Sequence, residues 1–531
     1  MMVVKCLVFA ASTGLFAFFL GRLFPKRLLH YSAAPFRDFR WEKGGRFYEK
    51  LGIRRWKNLL PDMSRVFPKL MQPKRIDTML GSEEILCMIE ETCVAEAVHV
   101  VLCIVGLVLI RLWRGLGGIV AWLLYALLGN LPFIMIQRYN RPRYVEMLKA
   151  RQSRARRVNA SSRERRLLIL SCDTGEGHNA CGRAIRECYE THGWKCEQRD
   201  ALRFLSPLLS RAVVFCHVHG YRHAPGSFRA GYAFAERHPA LLGEKSLVGR
   251  LMASGAEHLY CHMLDGGYGH VISTHVISAY MLSDMLKRYS LKPRTGFVAT
   301  DYTCSPIVRE SELDWYFVPD AALTQDFVCD NIPKERTVPS GIPVNATFYA
   351  RGDAQAAKES LGIPSEDRHI LMMGGSMGCG DMRGIAAQLY RRLPDDVTLT
   401  AVCGSNRRLE RRLRHKYRMD LRIRVLGYAN NMSQLMDSAD LFITKPGGLS
   451  TTEAAAKGLP MVLIDAVGGC EDYNARFMER AGIAVSARKP VEIARIATQL
   501  IQSPSLMERM RLPAAVVDRP AEIIYHYMDA A

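Results

Sequence analysis

Residues 441–475, LFITKPGGLSTTEAAAKGLPMVLIDAVGGCEDYNA, decide how the second half of the chain folds. Residues 441–444 are a short apolar, β-branched run, Lys445-Pro446-Gly447-Gly448 breaks it, and 450–457 carry the Ala, Glu and Lys content of a helix. The pattern is strand, glycine turn, helix. Two glycines let the backbone come close to a ligand, and the unpaired N–H groups and positive dipole of a helix start favour phosphate. Ser450, Thr451 and Thr452 can cap the helix or donate to that phosphate, and Glu453 can accept two hydrogen bonds from a ribose diol. Gly458-Leu459-Pro460 ends the helix, 461–464 form the next buried strand, and a second polar loop offers Glu471, Asp472 and Asn474 to sugar hydroxyls. An ordinary βαβ unit with a capped helix satisfies the same pattern, so a ligand site needs support from elsewhere in the chain.

The same device recurs upstream. Residues 167–170 read as a buried strand, and Ser171-Cys172-Asp173-Thr174-Gly175-Glu176-Gly177-His178 turns into a helix through Tyr189, where an anion or sugar would again meet a helix start. Further strand-like runs at 271–273, 296–299, 315–318, 370–373 and 398–402 are mostly separated by helical stretches, the pattern of parallel sheets wound with crossover helices. A polar segment near 350–368 marks a domain junction, and Gly374-Gly375-Ser376-Met377-Gly378 repeats the strand-to-glycine turn beyond it. Two Rossmann-like α/β domains, 165–345 and 346–515, are expected to face each other across a cleft, with a tail at 516–531.

Composition bounds the rest. The 531 residues carry a net charge of +20 and 15 cysteines, none in a CxxC pair, which favours a reducing compartment. Residues 6–21 contain no charge and run into Arg22, Lys26 and Arg27, as a signal anchor does; 98–110 are a shorter apolar run, and 115–136 are 22 uncharged residues, enough to span a bilayer. The basic blocks beside them, 14 Lys+Arg against 5 Asp+Glu over 25–80 and 11 against 2 over 138–166, prefer the cytoplasmic side. Arg111 and Arg114 at the hairpin tip leave a re-entrant pair open. Residues 1–150 therefore read as an α-helical membrane domain on an anionic membrane surface, with no nucleic-acid module, and with the remaining domains cytoplasmic. Glu91, Glu96 and His99 stand just before an apolar run, with Glu96 and His99 on one helical face. Intramembrane ionisable groups are functional candidates, and a solvated helix end is the plain alternative.

Gly175, Gly177 and Ala180 also satisfy G-x-G-x-x-A, with Asp200 about 20 residues on, the fingerprint of an NAD-linked oxidoreductase. Against it, Glu176 and His178 put a negative charge and a bulky ring where a pyrophosphate would sit.

Together, LFITKPGGLSTTEAAAKGLP, GGCEDYNA, SCDTGEGH, GIPV, MMGGSMG and VCGSNRRL resemble the processive diacylglycerol glucosyltransferases and plant-type monogalactosyldiacylglycerol synthases, a lipid-directed family that includes the enzyme adding N-acetylglucosamine to lipid I. The likeness runs over about 166–515. It implies a GT-B fold, no catalytic metal or cofactor, UDP-sugar bound mainly by the C-terminal domain, and inversion at the anomeric carbon. By motif match, Gly447, Gly448, Ser450 and Thr451 would meet the diphosphate, Glu453 the ribose, and Glu471 with Asn474 the sugar. Gly374, Gly375, Ser376 and Gly378 would line the diphosphate from the other side. His178 is the candidate base, since its ordinary pKa lies near neutrality, and Asp173 would orient it or take its place. Gly175, Gly177 and Asp301, the last in a TD element, would shape the acceptor side. Three positions depart from the family: its GGGH is Gly175-Glu176-Gly177-His178, a Gln of the sugar loop is Cys470, and a histidine after the TD element is Ser305. The first and third bear on acceptor recognition, the second on which sugar is taken.

In the membrane portion, Phe47-Tyr48-Glu49-Lys50-Leu51-Gly52-Ile53, Trp56-Lys57, Leu60-Pro61, the Glu91 to His99 segment and Gln137-Arg138-Tyr139-Asn140-Arg141-Pro142-Arg143 resemble the glycosyl-4,4'-diaponeurosporenoate acyltransferase family. That likeness implies esterification of a glycolipid sugar from an acyl donor, with Glu91, Glu96 and His99 as its candidate groups. The combined expectation is a hexosyltransferase acting on a membrane lipid. N-acetylglucosaminyl transfer to a polyprenyl-linked acceptor, and a silent membrane module that senses UDP-sugar, are the alternatives.

Overall fold

Two parallel sheets form, built on the eight apolar runs to within two residues and on four strands, at 195–200, 337–339, 423–426 and 484–486, that those runs do not mark. The computed structural model describes residues 2–24, 26–60, 80–161, 164–243, 246–329, 331–464, 468–511 and 517–529. These fall into two compact units, one of Met1–Arg163, Arg203–Ala212 and Ser254–Gly267, the other of Glu164–Leu202, Val213–Ala253 and Tyr268–Ala531.

In the second unit, β1 (Arg166–Ser171), β2 (Lys195–Asp200), β3 (His270–Ser273), β4 (Arg294–Val298), β5 (Trp315–Val318) and β6 (Thr337–Pro339) form a sheet in the order β2-β1-β3-β4-β5-β6. β7 (Arg368–Met373), β8 (Val397–Val402), β9 (Ile423–Leu426), β10 (Leu441–Thr444), β11 (Met461–Leu463) and β12 (Ala484–Ser486) form another, ordered β12-β11-β10-β7-β8-β9. Every pairing is parallel, and the middle strands are buried along their length because helices cover both faces. The winding reverses between β1 and β3 in one sheet and between β10 and β7 in the other. At such reversals the loops leaving the strands' carboxyl ends splay apart and open a crevice. The loops concerned are those that hold His178, Thr274, Gly375 and Lys445. This is the two-domain GT-B arrangement.

Two expectations change here. The segment with Glu471, Asp472 and Asn474 is helical, Cys470–Arg480, rather than a loop: Gly468 and Gly469, at φ 104° and 68°, break the chain just before it, and two carboxylates in the first turn suit the helix dipole. The stretch read as a tail contains the helix Pro520–Asp529, which packs on Glu176–Thr191 and β4, with the Tyr525 ring 5.1 Å from Tyr189 and the Met528 carbonyl accepting from Arg294 at 2.8 Å.

The first unit is helical: α1 (Met2–Leu23), α2 (Ser82–Val105), α3 (Leu116–Leu124) and α4 (Leu131–Ser161), the last two joined by a π-helical turn at Tyr125–Asn130. Met2–Gly21, Ser82–Leu112 and Leu116–Ala160 are long and apolar enough to cross a membrane. The unit does not stop near residue 150. Helix Ala256–Gly266, expected within the 165–345 domain, packs instead on α2 and α4, held by Ser82 N–H to Asp265 at 2.6 Å and Asn159 to the Leu264 carbonyl at 2.8 Å.

Candidate active site

A cleft of about 910 Å3 opens in the α/β unit at the winding reversals. One wall comes from β1 and the helix that follows, α5 (Glu176–Thr191), whose first turn carries Glu176, Gly177 and His178. His178 Nδ1 lies 2.8 Å from the Thr274 carbonyl and 3.0 Å from Thr300 Oγ1. A carbonyl only accepts, so we assign the ring proton to Nδ1, and Nε2 is left as the acceptor. Burial lowers the pKa of His178 to about 4, and the ring is uncharged at neutral pH rather than poised near it. His275 meets His178 edge-on at 4.5 Å, and burial holds His275 and His217 in the neutral form as well. Asp173 does not orient this ring. It is exposed, accepts from Asn179 at 3.0 Å and lies outside the residues lining the cleft; Thr274 supplies the orientation instead. Asp200, the acid of the dinucleotide fingerprint, accepts from the Leu202 N–H at 3.0 Å.

The facing wall comes from β7, β10 and the helix α6 (Gly448–Ala456). Thr451 N–H is the first in α6 to close on the chain, reaching the Gly447 carbonyl at 3.1 Å, so the N–H groups of Gly448, Leu449 and Ser450 form its donor end. Ser450 lines the cleft, whereas Thr451 does not: its buried hydroxyl donates to the carbonyls of Gly447 and Gly448 at 2.9 and 3.1 Å. Gly375, Ser376 and Met377 line the cleft. Gly374 and Gly378 instead shape the loop, because a Cβ would sit 2.1 Å from the Cys379 carbonyl oxygen at the first and 2.3 Å from that of Cys403 at the second. Glu453 faces the cleft with its carboxyl pushed up to about 8 by burial, against the opposing pull of Arg183.

Lys445 was not singled out from the sequence. Its Nζ lies 2.6 Å from Glu471 Oε1, and its stem passes so close to Gly375 that a Cβ there would be 2.3 Å from Cε. It therefore places a cation between the two glycine turns. A lysine at the carboxyl end of an apolar strand, inside a glycine turn, was the available signal.

Asn474 is not a ligand-facing amide. Fully buried, it accepts from Tyr302 N–H at 2.7 Å and donates to Asp301 Oδ1 at 2.7 Å and the Pro446 carbonyl at 3.0 Å, bracing one wall against the other. Asp301 lines the cleft with its pKa raised to about 6 by burial, and Cys470 lines it too. At Gly448 the walls come so close that a Cβ would lie 1.9 Å from the Thr300 carbonyl oxygen.

In the helical unit, Glu96 is neither solvated nor open to a substrate: Arg138 takes one oxygen at 2.6 Å and Arg141 the other at 2.5 Å. Arg138 also pairs with buried Glu42 at 2.5 Å. Glu91 pairs with Lys26 at 2.7 Å, and His99 Nδ1 meets Asn130 Oδ1 at 2.9 Å while its ring stacks on Phe133. Glu91 and His99 line a second cavity, about 820 Å3, with apolar walls from Leu15, Phe18, Val98 and Leu102; Glu96 does not.

The chain matches three family descriptions: glycosyl-4,4'-diaponeurosporenoate acyltransferase over residues 32–150, monogalactosyldiacylglycerol (MGDG) synthase over 178–344, and glycosyltransferase family 28 C-terminal domain over 369–505. Fold, cleft and these matches define a glycosyltransferase of the two-domain class, preceded by helices of membrane-crossing length. Within that class it is similar to the processive diacylglycerol beta-glucosyltransferase of Bacillus cytotoxicus, 25% identical over 68% of this chain and 92% of that one. The Bacillus cereus enzyme of the same name is 24% identical over 67% and 90%. Among solved structures, Acinetobacter baumannii MurG aligns with TM-score 0.46 at 13% identity over 69% of this chain and 100% of its own. Anabaena HepE, in complex with UDP and glucose, aligns at 0.42 and 13% over 69% and 99%.

Proposed function

We propose that the protein transfers a hexose, with inversion, from a UDP-sugar to a diacylglycerol-type membrane lipid at the cytoplasmic face. The observation that carries this reading is a cleft with the His178 ring on one wall, its Nδ1 2.8 Å from the Thr274 carbonyl, and Lys445 beside the donor end of a helix on the other. The lipid hydroxyl gives its proton to His178 Nε2 as its oxygen bonds to the anomeric carbon, and the bond from that carbon to the diphosphate breaks on the opposite side. Lys445 and the N–H groups of Gly448, Leu449 and Ser450 take up the charge of the departing UDP. That positive charge comes from the protein's own residues. Glu453 meets the ribose, and Glu471, steadied by Lys445, meets sugar hydroxyls. The basic blocks flanking the apolar helices hold the protein on anionic lipid with the cleft on the cytoplasmic side.

A second activity, acylation of the glycosylated lipid, is favoured by the 820 Å3 cavity, where apolar walls suited to a chain meet His99 and Glu91. Incubating membranes with radiolabelled UDP-glucose, UDP-galactose or UDP-N-acetylglucosamine, then extracting lipid, tests the transfer. Label should enter diacylglycerol-based lipid with wild type and not with His178→Ala. Label confined to a polyprenyl lipid would move the function to the alternative acceptor, and binding of UDP-sugar with no label in lipid would make the protein a sensor. For acylation, a product whose mass never shifts with added acyl donor rules the second activity out.

A further inference from the structure

The helical unit contains a polar cluster that glycosyl transfer does not use. Glu83, Cys87 and Glu90 lie along successive turns of α2, the first two sharing a face at a spacing of four and the last two at a spacing of three. Opposite them stands His258, on helix Ala256–Gly266, only 1% exposed. Its Nε2 is 2.8 Å from Glu90 Oε1, and the ligand atoms of Cys87, Glu90 and His258 all fall within 4.8 Å of one another. Its Nδ1 is buried with no hydrogen-bond partner among the described residues, the Glu83 carboxylate standing 3.6 Å away, too far for one.

We propose that Cys87, Glu90 and His258, with a water in the fourth position, bind a zinc ion that staples α2 to helix Ala256–Gly266, with Glu83 accepting the Nδ1–H as its outer partner. Thiolate, imidazole and carboxylate suit zinc, whose bonds of about 2.0 to 2.3 Å hold its ligands roughly 3.3 to 3.7 Å apart, so Nε2 and Oε1 must part from their 2.8 Å contact while the three groups close around the ion. A zinc-bound histidine characteristically donates its other N–H to a carboxylate, and that accounts for a buried Nδ1 facing Glu83. Charge balances in both forms. Without metal, Glu83 and Glu90 are offset by protonated His258 and by Arg27, the cation that acts on Glu90, Cys87 and Glu83. Zinc replaces two protons, one from the imidazolium and one from the Cys87 thiol, both released to solvent, so net charge is unchanged.

The test uses the full chain in detergent micelles, dialysed to equilibrium against zinc and analysed for bound metal. Wild type should retain about one zinc per chain, Cys87→Ser and His258→Ala should lose it, and Glu83→Gln should bind about 10- to 100-fold more weakly. Glu522→Gln, which alters a separate Cys188, His192 and Glu522 grouping in the α/β unit, should leave the content unchanged. Cobalt guards against misfolded variants: wild type loaded with it should show a thiolate-to-cobalt charge-transfer band together with tetrahedral visible bands. A wild-type protein that retains no more zinc than Cys87→Ser, or binds cobalt without the thiolate band, overturns the proposal and leaves His258 as an imidazolium between two carboxylates. Neither result bears on transfer in the cleft, which the lipid-labelling experiment reads separately.

Discussion

The helical unit pairs its buried Glu42 and Glu96 with arginines, whereas the cleft of the α/β unit pairs Glu471 with Lys445 and leaves three further titratable groups without an ion pair among the described residues. In the helical unit, Arg138 and Arg141 close on Glu96 from either side and Arg138 reaches Glu42 as well, so each charge is cancelled at fixed geometry. In the cleft of the α/β unit, Glu453, Asp301 and His178 form no ion pair among the described residues, and burial is the leading cause that moves them to about 8, about 6 and about 4. Paired buried charge is costly to break and fixes structure. Buried groups held off their ordinary titration have affinity to spare for a ligand that arrives.

Removing the base should give the largest effect. His178→Ala is expected to lower kcat by about 100- to 10,000-fold in the lipid-labelling assay while UDP binding by calorimetry and the unfolding temperature hold. A loss below tenfold would mean that the ring does not take the proton. On the paired side, Glu96→Ala leaves two buried guanidinium groups short of a partner and should cost about 3 to 5 kcal/mol, read as a lower unfolding midpoint in micelles. An unchanged midpoint would show that water reaches the cluster.

If Lys445 meets the diphosphate as proposed, Lys445→Ala removes a charged contact worth about 1.5 to 3 kcal/mol, and kcat/KM for UDP-sugar should fall about 10- to 100-fold. Equal activity in the variant would transfer the anion site to the helix start alone.

The smallest effect is the most discriminating. In the proposed site a ribose diol meets the ionised form of Glu453, which below about pH 8 must first give up a proton. UDP affinity should therefore weaken by about tenfold as pH falls from well above 8 to 7, and Glu453→Gln should flatten that dependence. In the same variant, the acid limb of kcat/KM should move down toward the pKa of His178, about 4, because protonation of the ring below it removes the base. An acid limb that stays near the ordinary histidine value would show that His178 is not held neutral by burial.

Features set by a few neighbouring residues were legible in the sequence. The strand, glycine turn and helix at 441–456 formed as read because apolar run, glycine pair and helix content act locally. The roles of Thr451 and Asn474 were not legible, since each depends on what the side chain meets: the hydroxyl of Thr451 turns back on its own helix, and the amide of Asn474 is taken up by Tyr302, Asp301 and Pro446. Glu96 looked like a group at a helix margin because nothing in its neighbourhood of the sequence reveals Arg138 and Arg141, 42 and 45 residues away. The titration of His178 escaped for a related reason: an ordinary pKa assumes water around the ring, and burial is a property of the folded wall.

The approach of Gly448 to the Thr300 carbonyl limits how this sequence can drift. With 1.9 Å between that oxygen and the place a methyl group would take, position 448 admits no side chain unless the backbone on one wall withdraws. Alanine there would act as a wedge one carbon thick between the two halves of the cleft. Descendants of this chain can exchange the side chains that select a sugar or a lipid and still keep the same framework, but a change at this glycine alters the spacing on which all of those choices depend.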